Sequence, residues 1–376
     1  MYLTLLTRLE YVFRSEGRDE DRRIQNIIHR LHPMPVDRFS PDDDLVLLHN
    51  SHWASNIGNP FFTLAAKHLL NRVFEKEQVL CTTQLSSLAW NPTDSQRKRS
   101  LRYVQYSDPD WFVMCGPMMG TDFVEEYEQV FDNMPTDEMD IMLLSVGSSE
   151  YTQAEVDRCR EFLERFSPTV FFTRDSWTYD RYHDLAEHSY DAIDLAFFAP
   201  DFYPGYPTPR LEPYVTFTFD KAAEPDIEID TSEERDRVRV GSVEHGRVRR
   251  NVLRRLPREY PEELGGYRVV RPTHGVLNRS ARSLYSKPNA FFSQTPYGYL
   301  NLYRNSTLTL GDRVHACVPT LAYGNSARLF TDSGRARLFD RVGLGHITEE
   351  VCEIDDEALQ SEKDDFMKEL GIIAEE

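Results

Sequence analysis

An α/β protein of two doubly wound, Rossmann-like parallel-sheet lobes facing a cleft is what this sequence predicts, on three observations. Short, uninterrupted apolar runs recur, Leu45–His49, Trp111–Cys115 and Ile141–Val146 among them, and such runs mark strands buried on both faces. Helical stretches alternate with them at the spacing of strand–helix–strand units, which favours a parallel sheet. One cluster of prolines interrupts the alternation, which then resumes, so the 376-residue chain carries two sheets in series. A ligand is then expected between the lobes, at the carboxyl ends of their strands.

Residues 1–40 read as helical, with Leu5, Leu9, Val12 and Phe13 and then Ile24, Ile27, Ile28 and Leu31 at helix spacing. Leu45–His49 opens into a polar loop and a helix over Phe61–Phe74. The first lobe continues with strands at Gln78–Thr82, Trp111–Cys115, Ile141–Val146, Thr169–Thr173 and Ala192–Phe198. Thr152 with Glu155 forms a capping box that starts a helix running to Phe166. From Pro200 to Pro213 the prolines are too dense for helix or strand, which places the interdomain linker there.

In the second lobe Tyr214–Phe219 is a strand and 220–236 an acidic surface loop. Val238–Gly241 is a short strand before an arginine-rich amphipathic helix over 247–258. Tyr267–Val270, Ala290–Phe292, Thr307–Leu310 and Ala327–Phe330 are strands. Helices fill Tyr297–Tyr303, the stretch from Arg313 to a terminating Gly324, and Arg335–Val342. The organisation is a helical extension (1–40), a first Rossmann-like domain (41–205), a second (206–348), and an acidic tail (349–376), helical around Phe366, Leu370 and Ile373.

Composition narrows the function classes. Hydrophobic residues make up 40% of the chain, enough for a sizeable core. Net charge is −19, and only seven of the 43 basic residues are lysine, the balance of a salt-adapted acidic proteome or, alternatively, of a GC-rich genome that favours arginine codons. So acidic a chain is a poor nucleic-acid partner, and the basic run at 247–258 reads as a solvated helix face. The five cysteines are widely spaced without zinc or CxxC patterns, which fits reduced thiols in a cytoplasm. Residues 1–9 are too short and too charged for a signal peptide or a span. A cytoplasmic protein is expected, free to touch a lipid-linked molecule at the membrane surface.

Three loops at strand ends carry the candidate chemistry. Gly311-Asp312-Arg313-Val314-His315 leaves a strand for a helix, where free amides and partial positive charge favour an anion. Arg313 adds a bidentate fork, and His315 an acid for neutral pH; alternatively Arg313 pairs with Asp312 and His315 is a packed core histidine. In Arg174-Asp175-Ser176-Trp177-Thr178, capping by Ser176 or Thr178, with Asp175 in the first turn, explains every residue but Arg174. A cation at a helix N-terminus opposes the dipole, which points to something negative that it faces. Asn56-Ile57-Gly58-Asn59 closes the first unit, its glycine allowing close approach to a ligand, without GxGxxG or a P-loop lysine. Asp108-x-Asp110 precedes a strand, where it serves a turn, and no metal is called for.

The ordered set Asn56-x-Gly58-Asn59, the strand and glycines of 111–120, Arg174-Asp175-x-x-Thr178, Asp194-x-Ala196-Phe197, and Gly311 to Ala316 with Gly324 resembles the polysaccharide pyruvyl transferase family. The resemblance implies a GT-B-like two-lobed fold and transfer of a pyruvyl group from phosphoenolpyruvate to two hydroxyls of a sugar. The product is a cyclic ketal, phosphate is released, and no further cofactor takes part. It assigns donor binding to Arg174 and Arg313, and the acid to His315. Cys115-Gly116-Pro117 departs from the family's glycine-rich turn, and 220–290 does not locate an acceptor site. Two other readings fit the same cleft: a GT-B nucleotide-sugar glycosyltransferase, and a non-catalytic saccharide- or partner-binding protein.

Overall fold

The computed structural model describes residues 45–50, 56–74, 78–83, 109–134, 136, 138–205, 212–221, 224–230, 237–240, 260–274, 285–331 and 333–375. The extension at 1–40, the arginine-rich stretch at 247–258 and Asp108 lie outside them. All described residues belong to one compact unit, residues 44–376.

The first apolar runs become a wholly parallel sheet. Its elements in chain order are β1 (Leu45–Asn50), α1 (Asn59–Val73), β2 (Gln78–Thr83), β3 (Trp111–Cys115), β4 (Met118–Met119), α2 (Thr121–Phe131), β5 (Asp140–Ser148), α3 (Gln153–Phe166), β6 (Val170–Thr173), α4 (Ser176–Tyr182) and β7 (His188–Asp191). The strand order is β2-β1-β3-β5-β6-β7, with β4 extending the pairing of β5. Val46, Leu47, Leu48, Phe112, Val113 and Met142 are fully buried, as strands covered by helices on both faces require. Thr152 caps α3 by accepting from the Glu155 amide, but the Glu155 carboxylate turns away to accept from the Ser149 and Glu150 amides. Only half of the predicted reciprocal box forms, because the β5–α3 loop offers better-placed donors. Asp110 accepts from the Leu45 amide (2.7 Å), a structural role at the start of the sheet.

The predicted strand over Ala192–Phe198 is a correction. The strand is β7, four residues earlier, and Leu195–Phe198 forms a 3-10 helix capped by Asp194, which accepts from the Ala196 amide. Continuous apolarity there reflects burial between the lobes, where a turn serves as well as a strand. Pro200 likewise does not interrupt structure: it occupies the first turn of α5 (Ala199–Phe202), where its missing N–H costs nothing.

The second lobe comprises β8 (Tyr214–Thr218), a separate antiparallel pair of β9 (Ile227–Asp230) and β10 (Arg237–Val240), then β11 (Glu263–Leu264), β12 (Tyr267–Pro272), β13 (Ala290–Phe291), α6 (Pro296–Asn305), β14 (Leu308–Gly311), α7 (Val314–Ala322) and β15 (Ser326–Leu329). Its main sheet has the order β11-β12-β8-β14-β15, parallel except for β11, with β13 beside β12. The acidic segment read as a loop therefore contains a strand, whose Ile227 and Ile229 are buried beneath it. The helix expected over Arg335–Val342 is a shorter 3-10 turn, Gly334–Phe339. Gly324 ends α7 with φ +78°, as its position past the last turn predicts.

The tail forms α8 (Asp356–Glu375), which buries Leu359, Phe366, Leu370 and Ile373. Phe366 meets Phe172 and Phe198 of the first lobe, each at 5.4 Å between ring centres. One core runs through both lobes: α1, the Leu195–Phe198 turn and α7 share it, with Phe61 against Tyr303 and Phe197 against Phe339. A continuous packed layer thus underlies the cleft. Among the described residues no helix is long and apolar enough to cross a membrane.

Candidate active site

Each sheet reverses its winding direction once, between β1 and β3 in the first lobe and between β8 and β14 in the second. The loops leaving these strands diverge, opening a crevice at their carboxyl ends. One cavity of about 330 Å³ is lined from both reversals: Asn56 and Asn59 after β1, Gly116 to Met118 after β3, Lys221 after β8, and Arg313 with His315 after β14. Arg174 after β6 and Arg335 after β15 complete it.

Arg174, Arg313 and His315, drawn from opposite halves of the molecule, all border this space. Asp194 joins two of them, Arg174 and His315. Its Oδ2 accepts from Arg174 Nη1 (3.0 Å) and contacts His315 Nε2 (3.2 Å), while Oδ1 accepts from the Ala196 amide (2.9 Å). Asp194 is wholly buried. Burial alone would raise its pKa, but His315, Arg174 and the amide reverse this and hold the carboxyl well below the usual range. An ionised carboxylate can only accept, so Nε2 of His315 must carry a hydrogen. This is the negative group that a cation at the start of α4 had to face. Among the described residues, the hydrogen-bond partner of Arg174 Nη2 is the Met118 thioether (2.6 Å), a weak acceptor at the cavity wall.

The caps differ from expectation. Asp175, not Ser176 or Thr178, caps α4, accepting from the amide and hydroxyl of Thr178, each at 2.8 Å. Arg313 does not pair with Asp312. Its Nε donates to Asp220 (3.1 Å), which also accepts from the His274 amide, while Asp312 accepts from the amides of Asp220 and Lys221. The partner came from another strand end, as the parallel β8–β14 pairing sets those two loops side by side.

Gly58 lies behind the imidazole, where a Cβ would fall 2.9 Å from His315 Cβ, so the close approach its bareness permits is to the histidine. Gly147 stands in the same relation to Arg174, with a Cβ reaching within 2.5 Å of Nε. Asn56 donates from Nδ2 to Asn59 Oδ1 (2.8 Å) and accepts from the Gly58 amide, locking this turn. Gly58 has an ordinary helical φ of −72°, so Gly58→Ala is a purely steric change. It should displace His315, cost about 1–3 kcal/mol by overpacking, and lower turnover about 100-fold. Denaturant unfolding beside steady-state rates checks both.

Four side chains escaped the sequence reading: Asp194 as a bridge, His274, Lys221 and Arg335. Asp194 lies in a motif whose apolar neighbours predict a strand; the others sit, like Arg174 and Arg313, just past strand ends. His274 is buried, its Nε2 2.5 Å from Tyr303 Oη. Desolvation first, then Arg313 and His315, keep it neutral well below the ordinary histidine range. Lys221 stands exposed at the cavity mouth, yet loss of water around its ammonium, reinforced by Arg313 and Arg335, brings it down to about 8. Cys115, Cys159, Cys317 and Cys352 are buried free thiols. Among the described residues no group of three or more His, Cys, Asp or Glu could hold a metal ion.

No curated protein matches the sequence. Among solved structures, a Listeria monocytogenes protein assigned as a UDP-N-acetylglucosamine 2-epimerase is similar at 12% identity and TM-score 0.50, covering 88% of this chain and 90% of its own. The Staphylococcus aureus MnaA structure with UDP gives 12% identity, TM-score 0.48 and the same coverage. At such identity the likeness is one of architecture, the GT-B fold, and carries no substrate. The family model for polysaccharide pyruvyl transferase matches residues 56–327, which take in both sheets apart from β1 and the end of β15, and the cavity-lining residues of every loop except that of Arg335. With most of its length so matched, the chain belongs to the polysaccharide pyruvyl transferase family.

Proposed function

We propose that the protein transfers the pyruvyl group of phosphoenolpyruvate to two hydroxyls of a sugar in a surface polysaccharide or its lipid- or nucleotide-linked precursor, acting in the cytoplasm. The observation carrying this reading is the convergence of Arg174, Arg313, Arg335 and Lys221 with His315 on a single cavity in a chain of charge −19. A small, highly charged anion needs such a concentration of positive groups to bind in so acidic a protein.

Arg174 and Arg313 orient the donor's carboxylate and phosphate. The donor's CH₂ carbon takes a proton from His315, leaving C2 electron-poor. One acceptor hydroxyl adds there, phosphate departs with the C–O electron pair, and the second hydroxyl closes the ketal. Of the two hydroxyl protons, one restores His315 and one leaves with phosphate. Asp194 fixes the ring by accepting from Nε2, which assigns the exchanged proton to Nδ1. Asp122, Phe123, Glu126 and Tyr127 line the same cavity and offer the carboxylates and rings that suit a neutral polyol acceptor.

The test is incubation with phosphoenolpyruvate and a panel of saccharide acceptors, following phosphate release. Release that requires a saccharide supports the reading; turnover of a nucleotide sugar with no response to phosphoenolpyruvate replaces it with glycosyl transfer. The pH response has a definite sign. Lys221 is charged below about 8 and neutral above it, so donor affinity measured calorimetrically from pH 7 to 9.5 should weaken through that midpoint. Lys221→Gln should flatten this limb.

A further inference from the structure

We propose that Arg335, with Arg174 and Arg313, forms a phosphate subsite, and that Arg335 is the residue by which the cavity distinguishes a phosphorylated acid from the bare acid. The inference deepens the donor reading above and rests on it for the identity of the ligand, though not for the chemistry of the subsite. Arg335 lies beyond the residues that the family model matches.

The argument starts from charge compensation. Arg174 has Asp194 at 3.0 Å and Arg313 has Asp220 at 3.1 Å. Arg335 also lines the cavity and is half-buried, but it makes no ion pair with any carboxylate among the described residues. Glu150 attracts it only from beyond ion-pair distance, and two of its charged neighbours are Arg174 and Arg313 themselves. Desolvation and this like-charge repulsion both work against its charged form. A guanidinium held among others without a counter-ion is an unfavourable arrangement, and it becomes favourable when a multiply charged anion enters between them.

The placement is fixed by packing. Gly334 has no side chain, and the Tyr151 ring fills that space, so a Cβ there would come within 2.6 Å of it. Tyr151 in turn donates to Asp175 (3.3 Å). One aromatic ring therefore sits between the residue before Arg335 and the residue after Arg174, bringing the two strand-end loops to the same end of the cleft. Ser333 Oγ accepts from the Arg335 amide (3.3 Å), and the hydroxyl-bearing Thr331 and Ser333 line the wall beside it. Three guanidiniums and two hydroxyls match the acceptor-rich oxygens of a phosphoryl group better than the two oxygens of a carboxylate.

The experiment compares wild type, Arg335→Gln and Arg335→Lys by calorimetric titration with phosphoenolpyruvate, inorganic phosphate and pyruvate. Arg335→Gln should weaken phosphoenolpyruvate and phosphate binding by roughly 30- to 100-fold, the loss of one charge-assisted pair, while pyruvate changes no more than about 3-fold. Arg335→Lys should recover part of the loss. Without any anion, Arg335→Gln should melt no lower than wild type, since it relieves repulsion, and phosphate should raise its melting temperature less. Equal affinity for phosphoenolpyruvate in wild type and Arg335→Gln overturns the inference, as does a parallel loss of phosphoenolpyruvate and pyruvate. A wild type that binds inorganic phosphate through Arg335 but ignores phosphoenolpyruvate upholds the subsite and overturns the donor. A wild type that binds neither overturns both.

Discussion

Asp194→Asn should lower stability by roughly 3–5 kcal/mol, because it strands the buried Arg174 guanidinium, whose counter-charge it removes. The asparagine keeps the volume, so the loss reports charge and not a cavity. Arg174 and Asp194 are almost wholly shielded from solvent, which places this pair among those whose rupture is costly. The sign with pH follows from the depressed carboxyl. A group ionised more readily in the folded state stabilises above its unfolded pKa, near 4, and that contribution drains away as pH falls toward the folded value. The gap between wild type and variant should therefore narrow below about pH 4 in urea titrations. Turnover should fall as well, by about 100-fold or more, since Arg174 loses its anchor and His315 its fixed tautomer. A variant with wild-type midpoint and rate would show that the bridge between the lobes does nothing.

His315→Ala separates chemistry from binding. Phosphate release should drop about 10²- to 10⁴-fold, the usual worth of a positioned general acid. Phosphoenolpyruvate affinity should change by only a few fold, because the guanidiniums remain. The fold should survive, since Asp194 keeps Arg174 as its partner and the ring fills a site bounded by Phe62 and the bare Gly58. Stopped-time phosphate assays with parallel titrations read the two quantities. Undiminished biological activity in this variant would instead favour a saccharide-binding role on the same scaffold.

Much of this architecture was legible in the chain. Leu45–His49, Trp111–Cys115 and Ile141–Val146 could be read as strands because apolar residues persist on both faces, and parallel strands so buried permit little else. The loops of Asn56, Arg174 and Arg313 could be placed at the cleft because they follow those strands. The segment 192–198 was misread for the same reason: its apolarity comes from burial between lobes, and apolarity by itself does not tell strand from turn.

Local patterns in the chain establish the two-sheet α/β class, the cleft, and five of the residues that border it, Asn56, Asn59, Arg174, Arg313 and His315, because strand and helix periodicities are local and loop position follows from them. Tertiary structure alone decided the pairings: Arg174 and His315 on Asp194, Arg313 on Asp220, and Arg335 with neither. Those contacts join residues 20 to 121 positions apart, across lobes welded by a shared core. Electrostatic partnership depends on distance in space, which no local pattern encodes.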